Sequence, residues 1–194
     1  MVSELSLVQK RVEESISVKT ALIVDQNVLS QIVKVAQQCA KSLKQGGKII
    51  LAGNGGSFGD AQHISAEFTS KLMRDRIPLA SIALGTNASA ISAIGNDYGY
   101  EHVFARELQS IGSPNDVVIL ISTSGNSQNI LLAAKVALEN NITVFGLTGQ
   151  HGGQLAQLCE CVTVPSSETA RIQECHILIG HIIVEIAEMS FVES

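Results

Sequence analysis

The sequence has no tryptophan, three prolines and few aromatic residues of any kind, 4% of its 194 residues. No run of Lys and Arg exceeds two residues. The stacking platform and the electrostatic footprint of a nucleic-acid binder are therefore both missing. Charged residues make up only 16%, and their balance is −5, which argues against an anionic membrane surface as partner. The longest apolar stretch, 177–186, is interrupted by His181 and Glu185 and is far too short to span a bilayer. The first fifteen residues, MVSELSLVQKRVEES, mix acids and bases and hold no apolar signal core. A cytoplasmic, soluble protein is expected. Cys39, Cys159, Cys161 and Cys175 form no CxxC pair, and we expect all four to be small, reduced core residues. Cys159 and Cys161 alternate as neighbours on one face of a strand would.

What is present is apolar and glycine-rich: 45% hydrophobic residues, 16 glycines and a mean hydropathy of +0.26. That composition excludes a disordered chain. The length suits one domain, residues 1–194, burying roughly 70% of its unfolded surface. Because the chain is acidic overall, an anionic ligand would have to be captured by local groups against the general field.

The first 45 residues read as a helical extension in two segments meeting near Asp25, with Val8, Val12, Ile16 and then Leu29, Ile32, Val33, Ala36, Ala40 and Leu43 at helical spacing. Gly46-Gly47 ends the pattern. From residue 46 onward short apolar runs alternate with helical stretches. Strands are expected at 48–52, 79–84, 116–122, 142–147 and 161–164, and helices at 57–72, 87–94, 102–111, 127–140 and 168–189. A turn is expected at Gly95–Gly99. The run Asp116–Ser122 is continuously apolar inside its ends, as in a strand covered on both faces. The pattern predicts an α/β fold with a parallel, doubly covered sheet and right-handed connections. In the terminal helix Ile172, Ile177, Leu178, Ile179, Ile182, Ile183, Val184, Ile186 and Met189 point in every direction. Such a helix is buried all round, and we expect a second subunit to cover the side the sheet does not.

Ligands of such sheets sit beyond the C-terminal strand ends. Two loops expected there resemble one another: Gly53-Asn54-Gly55-Gly56-Ser57 and Ser122-Thr123-Ser124-Gly125-Asn126-Ser127. Glycine lets the backbone approach a ligand, the following helix offers unpaired N–H groups and a positive dipole end, and the hydroxyls add donors. Phosphate could be held this way without an arginine cluster. Each loop alone also reads as a tight turn with a capping Ser or Asn. Nucleotide fingerprints fit poorly. Gly53-x-Gly55 lacks the third glycine, Leu84-Gly85 brings no ribose-binding acid, and no GxxxxGK[ST] occurs.

The helix after the first loop carries His63 and Glu67 one turn apart on one face. The terminal helix carries Gln173 and His181, again close to one face, while His176 reads as a satisfied core histidine. Alone, His63 and Glu67 read equally well as a solvated helix face. Two histidines, a carboxylate and an amide suit a zinc site with mixed ligands, although a glutamine oxygen is an unusual one. They also suit a carboxylate base paired with an imidazole acid. Spacing alone does not show that the two helices converge.

The segments GNGGS (53–57), DAQHISAEF (60–68), GND (95–97), ISTSGNS (121–127), LTGQHGG (147–153) and RIQECHILIGH (171–181) together carry a resemblance to the sugar isomerase (SIS) family over essentially the whole chain. The resemblance implies a three-layer fold around a five-stranded, flavodoxin-like parallel sheet. It also implies a homotetramer with active sites between subunits, and in some members zinc, one per subunit. It further implies conversion of the phosphorylated seven-carbon sugar sedoheptulose 7-phosphate to D-glycero-D-manno-heptose 7-phosphate by an enediol route, the first step toward the heptose of bacterial lipopolysaccharide. By the same resemblance Glu67 would be the base and His181 the acid, and His63, Glu67, Gln173 and His181 would ligate zinc. Asn54, Gly55, Gly56, Ser57, Ser122, Thr123, Ser124, Ser127, Glu67 and Gln173 would hold the substrate and its phosphate, with Asn96 and Asp97 on its hydroxyls. To act as a base near neutral pH, Glu67 should be partly withdrawn from water.

One position departs from the pattern. Some relatives carry an acid before the arginine of the RIQE segment, where this chain has Ala170, so any role of that acid falls to Asp97 or Glu168 or is absent. Two rival readings remain. One is a non-catalytic relative that binds the bacterial replication initiator, a branch that tends not to keep the pair at Glu67 and His181. The other is a sugar-phosphate sensor without turnover.

Overall fold

The computed structural model describes residues 3–192. Helix α1 (Glu4–Val24) starts at Ser3, whose side chain accepts the Ser6 N–H. Asp25 separates it from α2 (Gln26–Lys44) and caps the latter, its carboxylate accepting the N–H groups of Asn27 and Val28. The remaining elements alternate: β1 (Ile49–Gly53), α3 (Gly56–Thr69), β2 (Ser81–Ala83), α4 (Ala88–Tyr98), α5 (Val103–Ile111), β3 (Val117–Ile121), α6 (Gln128–Glu139), β4 (Thr143–Gly149), β5 (Glu160–Val164) and α7 (Thr169–Glu188). The strands form one parallel sheet in the order β2-β1-β3-β4-β5. That is the flavodoxin-like, doubly wound order, and the expected three-layer α/β fold is the one observed.

Successive side chains of each strand point to opposite faces, so the continuous apolar runs feed two cores. Ile49, Leu51, Val117, Ile119, Ile121, Phe145, Leu147, Val162 and Val164 pack under α2, α3 and α7. Ile50, Ala52, Val118, Leu120, Val144 and Cys161 pack under α5 and α6. Helix α2 thus belongs to a covering layer, with Val28, Ile32, Val35, Ala36 and Cys39 buried, and only α1 lies outside it. Burial pushes the Cys39 thiol up to about 12, in keeping with an inert core thiol, and all four cysteines are free.

Several boundaries differ from expectation, each for a physical reason. The predicted turn at Gly95–Gly99 is helical as far as Tyr98. Asn87 caps α4 by accepting the Ala90 N–H, and the chain turns only at Gly99, where φ is +94°. Strand β2 keeps three residues of the expected six, although Leu79 and Leu84 at its ends stay buried. Helix α3 stops at Thr69 instead of 72 because Arg76 folds back onto its last carbonyls. Cys159 precedes β5 and does not share a strand with Cys161.

Helix α7 is more fully covered within one chain than its composition suggested, since α2 and α3 flank it and β4 and β5 lie beneath. The exposed apolar surface sits instead on α1, where Leu5, Val8, Val12, Ile16 and Ile23 recur on one face, all more than half exposed. Among the described residues no helix is long and apolar enough to cross a membrane.

His176 is the expected core histidine but only half satisfied: it is fully buried, its Nε2 meets the Thr148 carbonyl at 3.2 Å and ties α7 to β4, and its Nδ1 has no partner among the described residues. Burial lowers its pKa from 6.5 to about 4. The unfolded chain therefore takes up a proton that the folded one refuses. Stability is complete above pH 6.5 and is lost as pH falls toward 4, by about 3 kcal/mol in all. Urea denaturation at several pH values should show this acid-side slope in the wild type and a slope reduced by that amount in His176→Leu.

Candidate active site

The C-terminal ends of β1 and β3 release the two glycine- and serine-rich loops at the same sheet edge. In the first, Gly55 takes φ +57°, a conformation costly for residues with a Cβ, and the Ser57 N–H bonds back to the Asn54 carbonyl. Ser57 is buried, while Gly55 and Gly56 leave exposed backbone at the start of α3. In the second, the Asn126 N–H donates to Ser124 Oγ at 3.1 Å, and the Ser122 and Ser127 hydroxyls lie 3.3 Å apart. Ser124 is exposed, and Thr123 and Ser127 are half-buried.

This second loop is held from behind by the end of β4 and the segment after it. Gly149 N–H donates to the Thr123 carbonyl, Leu155 N–H to the Gly125 carbonyl and Gln154 N–H to Asn126 Oδ1. Any side chain at Gly125 would collide with the Gly152 backbone. The two loops are also joined to each other. Asn54 and Asn129 exchange reciprocal amide hydrogen bonds of 2.9 Å, and the Tyr100 hydroxyl donates to Asn54 Oδ1 at 3.3 Å. Asn129 and Tyr100 were not singled out in the sequence. The one available signal was a polar residue in the first turn of α6, directly after a glycine-serine loop.

The helices carrying the candidate acid and base do converge. His63 and Glu67 project from α3 and His181 from α7. His63 Nε2 lies 2.9 Å from His181 Nε2 and 3.3 Å from Glu67 Oε1. Ligand atoms of all three residues fall within 4.8 Å of one another, and among the described residues no other His, Cys, Asp and Glu gather this way. The imidazoles meet edge-on, with centroids 5.0 Å apart. Glu67 is 22% exposed and His63 51%, so the carboxylate is partly withdrawn from water as required. Asp60, one turn before His63, was also overlooked. Burial holds its carboxyl above the usual range, and the neighbouring His63 offsets part of that.

Gln173 lies on α7 roughly two turns before His181. Its amide rests against Gly56, where a Cβ would approach Nε2 to 2.6 Å, and Gly56 lies roughly two turns of α3 before His63. Asn96 and Asp97 are exposed near the end of α4 and bond to each other at 2.8 Å. Helix α4 packs chiefly on α5 and the turn at 100–102.

Two imidazole nitrogens facing each other across 2.9 Å must share one proton or both turn their lone pairs to a cation. With a carboxylate oxygen beside them they form a mixed N/O donor set, open on its exposed side, that fits a zinc ion.

A buried ion pair anchors the far ends of the same two helices. Arg76 donates to the carbonyls of Glu67, Phe68, Ser70 and Ile77, and Glu188 of α7 accepts from the N–H groups of Leu72 and Met73. Arg76 Nε and Glu188 Oε2 are 3.4 Å apart, and both side chains are wholly covered.

The description "SIS domain" matches residues 14–149 of the chain. A phosphoheptose isomerase of Aneurinibacillus thermoaerophilus is 50% identical over 182 residues, 93% of this chain and 92% of that protein. The solved structure of a phosphoheptose isomerase from Neisseria gonorrhoeae superposes with a TM-score of 0.88 at 38% identity, covering 96% of this chain and 100% of the other. One from Francisella tularensis gives 0.91 at 33% identity, covering 96% and 99%. The doubly wound sheet with its two glycine- and serine-rich loops is thus an SIS fold, and the chain belongs to the SIS domain family. Within that family its similarity runs to the phosphoheptose isomerases.

Removing Glu188 would strand the Arg76 charge among backbone carbonyls, a change of the kind that costs about 3–5 kcal/mol. Chemical denaturation of Glu188→Ala should register a loss of that size, whereas Lys71→Ala, which removes an exposed pair with Asp75, should shift the midpoint little.

Proposed function

We propose that the chain is an aldose–ketose isomerase that converts sedoheptulose 7-phosphate to D-glycero-D-manno-heptose 7-phosphate. The observation that carries this reading is the meeting of Glu67, His63 and His181 beside two phosphate-suited loops on one sheet edge. The hydroxyls of Ser122, Thr123, Ser124 and Ser127 and the N-terminus of α6 receive the phosphate with neutral donors. Asn54, Gly55, Gly56 and Ser57 present backbone and amide groups to the sugar, Gln173 lies beside them, and Asn96 and Asp97 take its hydroxyls.

In the forward direction the Glu67 carboxylate removes a proton from C1 of the ketose while His181 gives a proton to the C2 carbonyl oxygen, forming an enediol. Glu67 then returns its proton to C2 as the O1 hydroxyl gives a proton back to His181, leaving the aldehyde at C1. General acid–base catalysis of this kind contributes on the order of 10²–10⁴ in rate per group. His63, Glu67 and His181, joined by Gln173 if its amide swings across, are the residues that would hold zinc. Bound there, zinc would act as a Lewis acid on the sugar oxygens.

The exposed apolar face of α1 supports assembly into a homotetramer with active sites between subunits. In a cytoplasmic setting the product would feed the heptose of bacterial lipopolysaccharide. The non-catalytic, initiator-binding reading needs no proton-transfer pair, and the convergence of Glu67 with His181 favours the isomerase.

Glu67→Gln and His181→Gln should each lower turnover of sedoheptulose 7-phosphate at least a hundredfold while leaving far-UV circular dichroism unchanged. Rates like the wild type in both would overturn the assignment. Elemental analysis of protein purified without chelator should find about one zinc per chain, and none in His63→Ala. A zinc-free wild type with full turnover would leave the acid–base assignment in place and remove the metal.

A further inference from the structure

The residue before His181 is a glycine in mid-helix, and helix interiors disfavour glycine relative to alanine. Nothing in the local backbone demands it, because α7 is regular there. The reason lies across the interface. A Cβ built on Gly180 would come within 2.6 Å of Ile64 Cγ1 and closer still to Ile64 Cδ1, whereas Ile64 Cβ lies at 3.8 Å. Ile64 is the residue after His63 and is 1% exposed, so its side chain fills the space that Gly180 leaves open. The residues at this close approach of α3 and α7 are thus the immediate neighbours of the two histidines whose Nε2 atoms meet at 2.9 Å.

We propose that Gly180 is a positioning residue for the active site: its missing side chain lets α7 close onto Ile64, and that closeness brings the His181 imidazole onto His63. The inference rests on the proposed isomerase and metal-site reading for its consequence in turnover, but the spacing itself is independent of it. A methyl group at 180 cannot be absorbed by a far side-chain tip alone, since Cγ1 as well as Cδ1 stands in the way. Turning Ile64 about χ1 would drive it into a packed core, where it is 1% exposed, so the easier response is for the helices to separate or rotate locally. The Arg76–Glu188 pair still anchors their far ends, so the change is felt at the histidines first.

The test uses the full-length protein, Co²⁺ as the probe, and two readouts. The visible absorption of Co²⁺ reports how well the site binds a metal. The imidazole ¹⁵N resonances of His63 and His181 in metal-free protein report whether the rings still meet. In Gly180→Ala we expect Co²⁺ affinity to fall at least tenfold, the two ¹⁵N signals to move toward those of separate imidazoles, and kcat to fall more than KM rises. Gly180→Ala combined with Ile64→Ala clears the contact, leaving only Cβ at 3.8 Å. It should recover Co²⁺ affinity and ¹⁵N shifts to within about threefold and a small offset, respectively, of Ile64→Ala alone.

If Gly180→Ala raises the melting temperature, as alanine in a free helix would, and leaves both readouts at wild-type values, the proposal is overturned. The same follows if the double variant shows no recovery over Gly180→Ala. If the wild type binds no Co²⁺ but the ¹⁵N shifts respond and recover as described, the spacing role stands and the metal reading falls.

Discussion

The contact between α3 and α7 is the constraint on which the candidate chemistry depends. Each helix is placed by its own strand, α3 by β1 and α7 by β5, and no local rule along the chain forces them together. Their shared position over one face of the sheet brings them into range. Gly180 and Ile64 then set how near they come, and the Arg76–Glu188 pair stops them from sliding. A carboxylate and two imidazoles, the histidines 118 residues apart in sequence, are neighbours where these elements meet.

Much of the architecture was readable in advance because parallel sheets leave a loud signature. Strands buried on both faces are continuously apolar, and the helices between them carry caps such as Asp25 and Asn87 and stops such as Gly46. The positions of the two glycine- and serine-rich loops were equally legible: each alone reads as a capped turn, but both follow apolar strands and lead into helices, which puts them at one sheet edge. Gly95–Tyr98 misled for a related reason. Its glycine, asparagine and aspartate resemble a turn, yet with Asn87 satisfying the helix start and Gly99 ready to reverse the chain, the intervening residues lose nothing by staying helical.

The illegible part is tertiary. Arg76 and Glu188 read as ordinary charges at helix ends until folding buries them together. Asn129 and Tyr100 carry no mark of their partnership with Asn54. Spacing puts His63 and Glu67 on one helix face, where they read equally well as a solvated pair, and their meeting with His181 depends on the angle and depth of a helix packed far away in sequence, with depth set by side-chain volume at the contact. That information resides in a pair, Gly180 with Ile64, and neither member is informative alone.

The loop at 122–127 is wired to its surroundings through backbone groups: Thr123 and Gly125 carbonyls accept from Gly149 and Leu155, and Gly125 is wedged on Gly152. Its shape is therefore a property of the folded protein before anything binds. An anion bound there would meet a loop whose backbone is already set, so little conformational entropy would be surrendered on association. On the proposed reading, a chain of net charge −5 would in that way hold a negative ligand with uncharged groups, by sparing the cost of arranging them instead of adding attraction.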